Sequence, residues 1–224
     1  MSDRIKPELK QLIVDTGVEM IRTGMTVGTW GNISVRDPET DLMYISPSGM
    51  DYMSIRPRHV VVMTLGLEIV DGVAEPSIEK HMHVEVYKTR RDINAVVHTH
   101  PIFSSIFGVD RMELPAVSED FAQIVGEKVC YAEPYELPGS EALAKSTVKA
   151  LKDHFAVILP NHGALSVGED ISKALKVSMV LEKNAQIYFY SLLVGNPTLL
   201  RSEDIAFMQK FARENYGQKN KNLA

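Results

Sequence analysis

The sequence predicts an α/β protein, a three-layer α/β/α sandwich around a mostly antiparallel central sheet. Two observations carry this expectation. Short β-rich segments joined by tight turns occupy the middle of the chain, and helical patterns lie before and after them. The composition, 45% apolar and 24% charged, is that of a globular protein with a buried core.

The elements follow in order. Pro7 opens a helix in which Leu9, Leu12, Ile13, Thr16, Met20 and Ile21 recur at helical spacing until Gly24. Met43–Ser46, Val60–Thr64 and Leu67–Val70 are short and β-rich, with turns at Pro47–Gly49, Gly66 and Asp71–Gly72. Pro76–Ser77 introduces a second helix carrying Ile78, Met82 and Val86 along one side. Ile93–His98 and Lys128–Ala132 read as strands. Ser140 caps a helix running to Lys152. Phe155–Leu159 and Ala164–Val167 flank a turn at Asn161–His162–Gly163. Asp170 caps a long helix to about Val194, closed by Gly195 and Pro197, and Ser202 begins the last helix.

No linker, low-complexity block or fixed-period repeat interrupts the 224 residues, so 1–224 is expected to form one domain. Twenty-four Lys and Arg against 29 Asp and Glu leave a net charge of −5, opposite in sign to a general nucleic-acid or anionic-membrane binder. The first ten residues are charged and lack the apolar stretch of a signal peptide, and no apolar run is long enough to span a bilayer. The single Cys130 suits a reducing cytosol. The expected partner is a small molecule, with no nucleic acid and no membrane, and the expected location is the cytoplasm.

The chemistry concentrates in a few short segments. His98–Thr99–His100 follows Ile93–Val97. Side chains two apart on a strand share a face, so both imidazoles project the same way, an arrangement suited to chelating one metal; a polar pair at a strand edge is the alternative. His81–Met82–His83 has the same spacing within a helical pattern, where two residues turn by about 200° and the rings diverge. His162, in the turn after Phe155–Leu159, offers a third imidazole, and catalytic zinc sites use three protein ligands with one position open. It could equally serve the turn alone. Glu79 falls in the first turn of the helix after Ser77, where the helix dipole favours a carboxylate whatever its role. Ser77 and the free N–H groups of that turn form a candidate anion site. Ser48–Gly49 and Gly31–Asn32 read as small polar loop residues able to add donors.

Taken together, Thr29–Trp30–Gly31–Asn32–Ile33–Ser34, Ser46–Pro47–Ser48–Gly49, Pro76–Ser77–Ile78–Glu79, Val96–Val97–His98–Thr99–His100 and Asn161–His162–Gly163 resemble, in order, the motifs of the zinc-dependent class II sugar-phosphate aldolases. These form the fuculose-phosphate aldolase and ribulose-phosphate 4-epimerase group of the class II aldolase/adducin family. The motifs span about Gly28 to Gly168. The resemblance implies that His98, His100 and His162 hold a divalent metal, usually Zn2+, with Mn2+ or Co2+ as alternatives. It implies that Glu79 is the catalytic base and can touch the metal before substrate arrives. Gly31, Asn32, Ser48, Gly49 and Ser77 are implied to surround a substrate phosphate. A homotetramer with sites at subunit interfaces is implied, in which a C-terminal tyrosine takes part across the interface; Tyr216 matches its place.

The activity so implied is reversible cleavage of a ketose 1-phosphate, as of fuculose 1-phosphate, to dihydroxyacetone phosphate and an aldehyde through a metal-stabilised enediolate. The alternative is a ribulose 5-phosphate 4-epimerase using the same retro-aldol step. A non-catalytic adducin-like interaction module is the distant third, and such a module would be expected to lose the metal triad or the base. Two departures bear on the choice. Ile78 stands where the aldolases usually carry a second serine. Trp30 and the run Ser48–Tyr52 lean toward the epimerases, and Asp120 falls near the place of an epimerase acid, whereas Glu79 matches the aldolases. Trp30 is expected on a loop whose motif need not touch the reacting carbons.

Overall fold

Every pairing in the main sheet is antiparallel. The computed structural model describes residues 5–215. Along them run α1 (Pro7–Arg22), β1 (Asn32–Arg36), β2 (Met43–Ile45), β3 (Val61–Met63), β4 (Ile69–Asp71), α2 (Lys80–Thr89), β5 (Ala95–Thr99) and α3 (Ile102–Val109). They continue with β6 (Leu114–Pro115), α4 (Glu119–Ile124), β7 (Lys128–Val129), α5 (Glu141–Leu151), β8 (Ala156–Leu159), β9 (Gly163–Gly168), α6 (Ile171–Val194) and α7 (Ser202–Glu214). Seven strands form one sheet in the order β4-β3-β2-β1-β5-β9-β8, and β6 and β7 make a separate pair.

Helices cover both faces of that sheet, which is why its central strands are buried on both faces: β1 and β5 are buried at every position. On β5, Val96 faces α2 and α5, packing with Met82, Val86 and Leu143. Its neighbours Ala95 and Val97 face the opposite layer, with Ile13 and Met20 of α1 and Ala174 of α6. A third cluster, built around Phe107, Phe121 and Leu181, packs α3, α4 and α6 onto Ile158 and Ala164. Each fully buried Val or Leu in these layers contributes on the order of 1.5–3 kcal/mol of transfer free energy. The expected three-layer sandwich is therefore the fold.

Local chemistry sets the helix boundaries as the caps predict. Ser140 Oγ accepts the Leu143 N–H at 3.1 Å, and the Asp170 carboxylate accepts the Lys173 N–H at 2.7 Å. Three expectations are corrected. Asn32 lies on β1 rather than in a loop; all five residues of that strand are buried, and its polar side chains find partners inside the protein. Helix α2 starts at Lys80, so Ile78 is not on its apolar side and is 58% exposed. The strand expected over Lys128–Ala132 stops at Val129 and pairs with Leu114–Pro115 outside the main sheet. Helices α3 and α4 were not anticipated, since each is too short for its apolar period to declare itself. Among the described residues no helix is long and apolar enough to cross a membrane.

Candidate active site

The register of the sheet assembles the site. Asn32 of β1 pairs directly with His98 of β5, and Thr99 pairs with Ala164 of β9. Two glycines allow this close approach. A Cβ on Gly31, whose φ is +75°, would lie 2.5 Å from the His98 carbonyl oxygen. A Cβ on Gly163 would lie 2.2 Å from the carbonyl oxygen of Thr99. The β8–β9 hairpin thus brings His162 against the end of β5, beside His98 and His100.

The three imidazoles converge through their Nε2 atoms. His98 Nε2 is 3.0 Å from that of His100 and 3.3 Å from that of His162. His98 Nδ1 lies 2.9 Å from the Ala164 carbonyl oxygen, which can only accept. The proton of the neutral ring is therefore on Nδ1, and Nε2 presents a lone pair to its neighbours. Burial first, and then the neighbouring His98 imidazole, push His100 down to about 3 and His162 to about 4, so both rings are neutral at pH 7.

Glu79, at the N-cap of α2, completes the cluster. Its Oε2 is 3.2 Å from His98 Nε2 and its Oε1 is 3.4 Å from His162 Nε2. Asn32 Nδ2 donates to Oε2 at 2.7 Å, whereas Oε1 is buried without a hydrogen-bond partner among the described residues. Burial alone would raise the carboxyl pKa, but His98, His162 and the Asn32 amide outweigh it and hold the group well below the usual carboxylate range. The same pairing raises His98 against its own burial.

These separations test whether a divalent ion fits. Nitrogen ligands at zinc bond lengths of about 2.0–2.1 Å in tetrahedral array stand roughly 3.4 Å apart. The spacings of His98 Nε2 to the other two Nε2 atoms, and of Glu79 to His98 and His162, are 3.0 to 3.4 Å and lie near that value, and the three imidazole ligand atoms all lie within 4.8 Å of one another. Lone-pair nitrogens facing one another, with an orphaned carboxylate oxygen beside them, form a donor set for a cation. His98, His100 and His162 form a three-histidine metal site.

A cleft of about 450 Å³ opens above this cluster. Ser48, Gly49 and Ser77 line it together with His100 and His162, as do Gly31, Asn32 and Glu79, and of these Asn32, Ser77 and Glu79 are buried. Ser77 Oγ accepts the Glu79 N–H at 3.2 Å, so its hydroxyl proton remains for a ligand. The Ser48 and Ser77 N–H groups are already committed, to Glu75 and Ser46 carbonyls respectively. Ile78 also faces the cleft, an apolar side chain where a hydroxyl was the family expectation.

Two further residues singled out in the sequence are placed as follows. Trp30, 65% exposed, lines the cleft with its ring centroid 6.0 Å from that of His100. Asp120 lies on α4, paired with Lys183 of α6 at 2.6 Å, and is not among the residues lining this cleft. Tyr216 lies outside the described residues. One residue read only as diverging from His81 lies at the site. His83 is fully buried beneath the site, with Nε2 against Asn32 Oδ1 and Nδ1 2.6 Å from Ser34 Oγ. Its signal was present as the i+4 spacing of Glu79, His83 and Tyr87, one stripe of a helix. His81, as expected, turns away from it and lines a separate pocket with Glu85 and Lys88.

An all-antiparallel α/β/α sandwich with three strand-end histidines and a glutamate in one cleft defines a metal-site enzyme scaffold. Residues 11–189 match the family model of the class II aldolase and adducin N-terminal domain, and the chain belongs to that family. It is 39% identical over 209 residues to a 5-deoxy-D-ribulose 1-phosphate aldolase of Bacillus thuringiensis, covering 93% of this chain and 97% of that relative. It is 33% identical over 206 residues to the L-fuculose phosphate aldolase of Escherichia coli K12, covering 91% and 94%. The fold superposes on a solved L-fuculose 1-phosphate aldolase with a TM-score of 0.90 at 34% identity, covering 93% of this chain and 98% of that one. These homologues are class II aldolases, aldehyde-lyases by reaction.

Proposed function

We propose that the chain is a divalent-metal-dependent aldolase that reversibly cleaves a ketose 1-phosphate to dihydroxyacetone phosphate and an aldehyde. The observation that carries this reading is the Glu79 carboxylate lying against the His98 and His162 nitrogens of the converged three-imidazole cluster, in a cleft also lined by Ser48, Gly49 and Ser77. The names of the relatives support the substrate class. By name one relative acts on 5-deoxy-D-ribulose 1-phosphate and the other on L-fuculose phosphate, and the exposed Ile78 and Trp30 give this cleft apolar surface suited to a deoxygenated aldehyde end.

His98, His100 and His162 hold the ion, for which we propose Zn2+ over Mn2+ or Co2+ because a three-imidazole donor set suits it. When bound, such an ion supplies Lewis acidity to a substrate carbonyl and stabilises negative charge on its oxygen. Ser77 Oγ and Ser48 with Gly49 take the phosphate, and Gly31 and Asn32 line the same cleft. The phosphate fixes the ketone fragment so that its hydroxymethyl carbon faces Glu79. In condensation Glu79 Oε1, the oxygen without a hydrogen-bond partner among the described residues, takes a proton from that carbon. In cleavage it returns the proton to the same carbon. Asn32 holds Oε2 throughout, so only one carboxylate oxygen is presented. An acid on the far side serves the aldehyde oxygen; we assign it to Tyr216 of a neighbouring subunit in a homotetramer of single-domain chains, located in the cytoplasm.

A second reading, the ribulose 5-phosphate 4-epimerase, is favoured by Trp30 standing against His100 in the cleft. We rank it second because the base position carries Glu79. One methylene sets how far a carboxylate reaches, and positioning dominates such steps. The reading is tested by incubating the metal-replete protein with 5-deoxyribulose 1-phosphate and fuculose 1-phosphate and following dihydroxyacetone phosphate with a coupled dehydrogenase. Release that stops on chelation and returns with Zn2+ supports it. No release from any ketose 1-phosphate overturns it.

A further inference from the structure

Beneath Glu79 the protein holds a continuous polar chain inside an otherwise apolar layer. It arises from matched periodicities. Asn32, Ser34 and Arg36 lie on one face of β1, every second residue. Glu79, His83 and Tyr87 lie on one stripe of α2 and its cap, every fourth residue. Packed together, the two rows meet rung by rung. Asn32 Nδ2 reaches Glu79 Oε2 at 2.7 Å, and Asn32 Oδ1 reaches His83 Nε2. Ser34 Oγ lies 2.6 Å from His83 Nδ1 and 2.7 Å from the Tyr87 hydroxyl. Arg36 stands over the Tyr87 ring at 5.8 Å.

The direction of every hydrogen bond in this chain is forced from one end. An ionised Glu79 only accepts, so Asn32 must turn its amino group toward it. Asn32 then presents Oδ1 to His83, whose Nε2 must carry the ring proton. The neutral ring leaves Nδ1 bare, and it accepts from the Ser34 hydroxyl. Ser34, its proton used, accepts from Tyr87. His83, Ser34 and Tyr87 are all buried, so no solvent competes for these groups. Were the Asn32 amide reversed, its carbonyl oxygen would face the carboxylate, and two acceptors would repel.

We propose that His83 is a positioning residue for the reaction: as the neutral Nε2–H tautomer it locks the Asn32 amide, which in turn aims the Glu79 carboxylate. The inference deepens the proposed role of Glu79 as the base and rests on it for its kinetic consequence. The tautomer itself is a separate prediction. His83 lies behind Asn32, touches neither substrate nor metal, and acts only through the amide.

Two measurements decide it. In 15N-histidine-labelled, metal-replete protein, the His83 ring should show a protonated Nε2 and a bare Nδ1. A protonated Nδ1 reverses the chain and overturns the proposal whatever the kinetics show. The second measurement is deuterium uptake at the hydroxymethyl carbon of dihydroxyacetone phosphate in D2O without aldehyde, which reads the Glu79 step alone. The carbon–hydrogen bond breaks as Glu79 takes the proton, the acid exchanges with solvent, and deuterium returns to the carbon. His83→Leu should slow this uptake and kcat about tenfold with KM and metal content unchanged. His83→Gln, which keeps a donor toward Asn32, should restore them. A merely structural histidine would lower Tm in both variants and leave kcat of the folded protein untouched. A folded, metal-loaded His83→Leu exchanging at the wild-type rate overturns the proposal. Wild-type protein that takes up no deuterium at all counts against the Glu79 base instead, and the tautomer then decides the His83 proposal alone.

Discussion

Oε2 of Glu79 lies 3.2 Å from Nε2 of His98 and accepts the Asn32 amide at 2.7 Å, so one carboxylate oxygen is shared between the metal site and the sheet beneath it. The other oxygen, Oε1, has no hydrogen-bond partner among the described residues. This asymmetry separates a held oxygen from one that can work, and the predictions follow from it.

His98→Ala should abolish metal binding, because His98 Nε2 stands at the centre of the cluster, within 3.3 Å of both other histidines. His81→Ala should leave the metal in place, since helix geometry turns His81 to another pocket. Elemental analysis of both purified variants checks this. Full occupancy in His98→Ala would contradict the assignment.

Glu79→Gln should fold, keep the ion on its three histidines, and lose rate on the order of a hundredfold or more, as expected when an acid–base group is removed. Single-turnover rates alongside metal content provide the check. Near-normal turnover would remove Glu79 from the mechanism.

The pH dependence of stability has a definite sign. Burial, with a smaller contribution from the neighbouring His98, pushes His83 down to about 3 in the folded protein, whereas an unfolded histidine titrates near 6.5. Between those values the unfolded chain binds the extra proton, so stability falls as pH drops below about 6.5. Thermal melts of the metal-free protein from pH 7 to 4 should show a shallower loss in His83→Gln than in wild type. Parallel curves would show that His83 is not buried as a neutral ring.

Much of this was legible in the chain, for identifiable reasons. His98 and His100 declare a shared face because a strand alternates, and His81 and His83 declare divergence because a helix does not. Caps at Ser140 and Asp170 fixed two helix starts because side-chain acceptors there have no substitute. Strand β1 stayed hidden because Asn32, Ser34 and Arg36 read as solvent-facing residues. They are buried against partners 45 to 60 residues away, a relation no local pattern carries. His83 was hidden for the same reason: its partners Asn32 and Ser34 lie on that strand. Trp30 reaches the cleft because the turn before β1 folds back over His100, which its loop sequence does not announce.

Deleting residues from Tyr216 onward should lower activity without changing the oligomer, if that tyrosine serves a neighbour's site. Light scattering with a parallel activity assay tests this. A fully active monomer would contradict a shared site.

The central claim is that this chain breaks a carbon–carbon bond and releases the ketone fragment. An epimerase makes the same break but retains the aldehyde, whose phosphate helps to hold it, and re-forms the bond on the other face. The most direct measurement places the metal-replete protein with ketose 1-phosphates and, separately, with ribulose 5-phosphate. Dihydroxyacetone phosphate released from a ketose 1-phosphate, with ribulose 5-phosphate left unchanged, is the predicted result. Rapid interconversion of ribulose 5-phosphate and xylulose 5-phosphate, with no dihydroxyacetone phosphate from any ketose 1-phosphate, would contradict it.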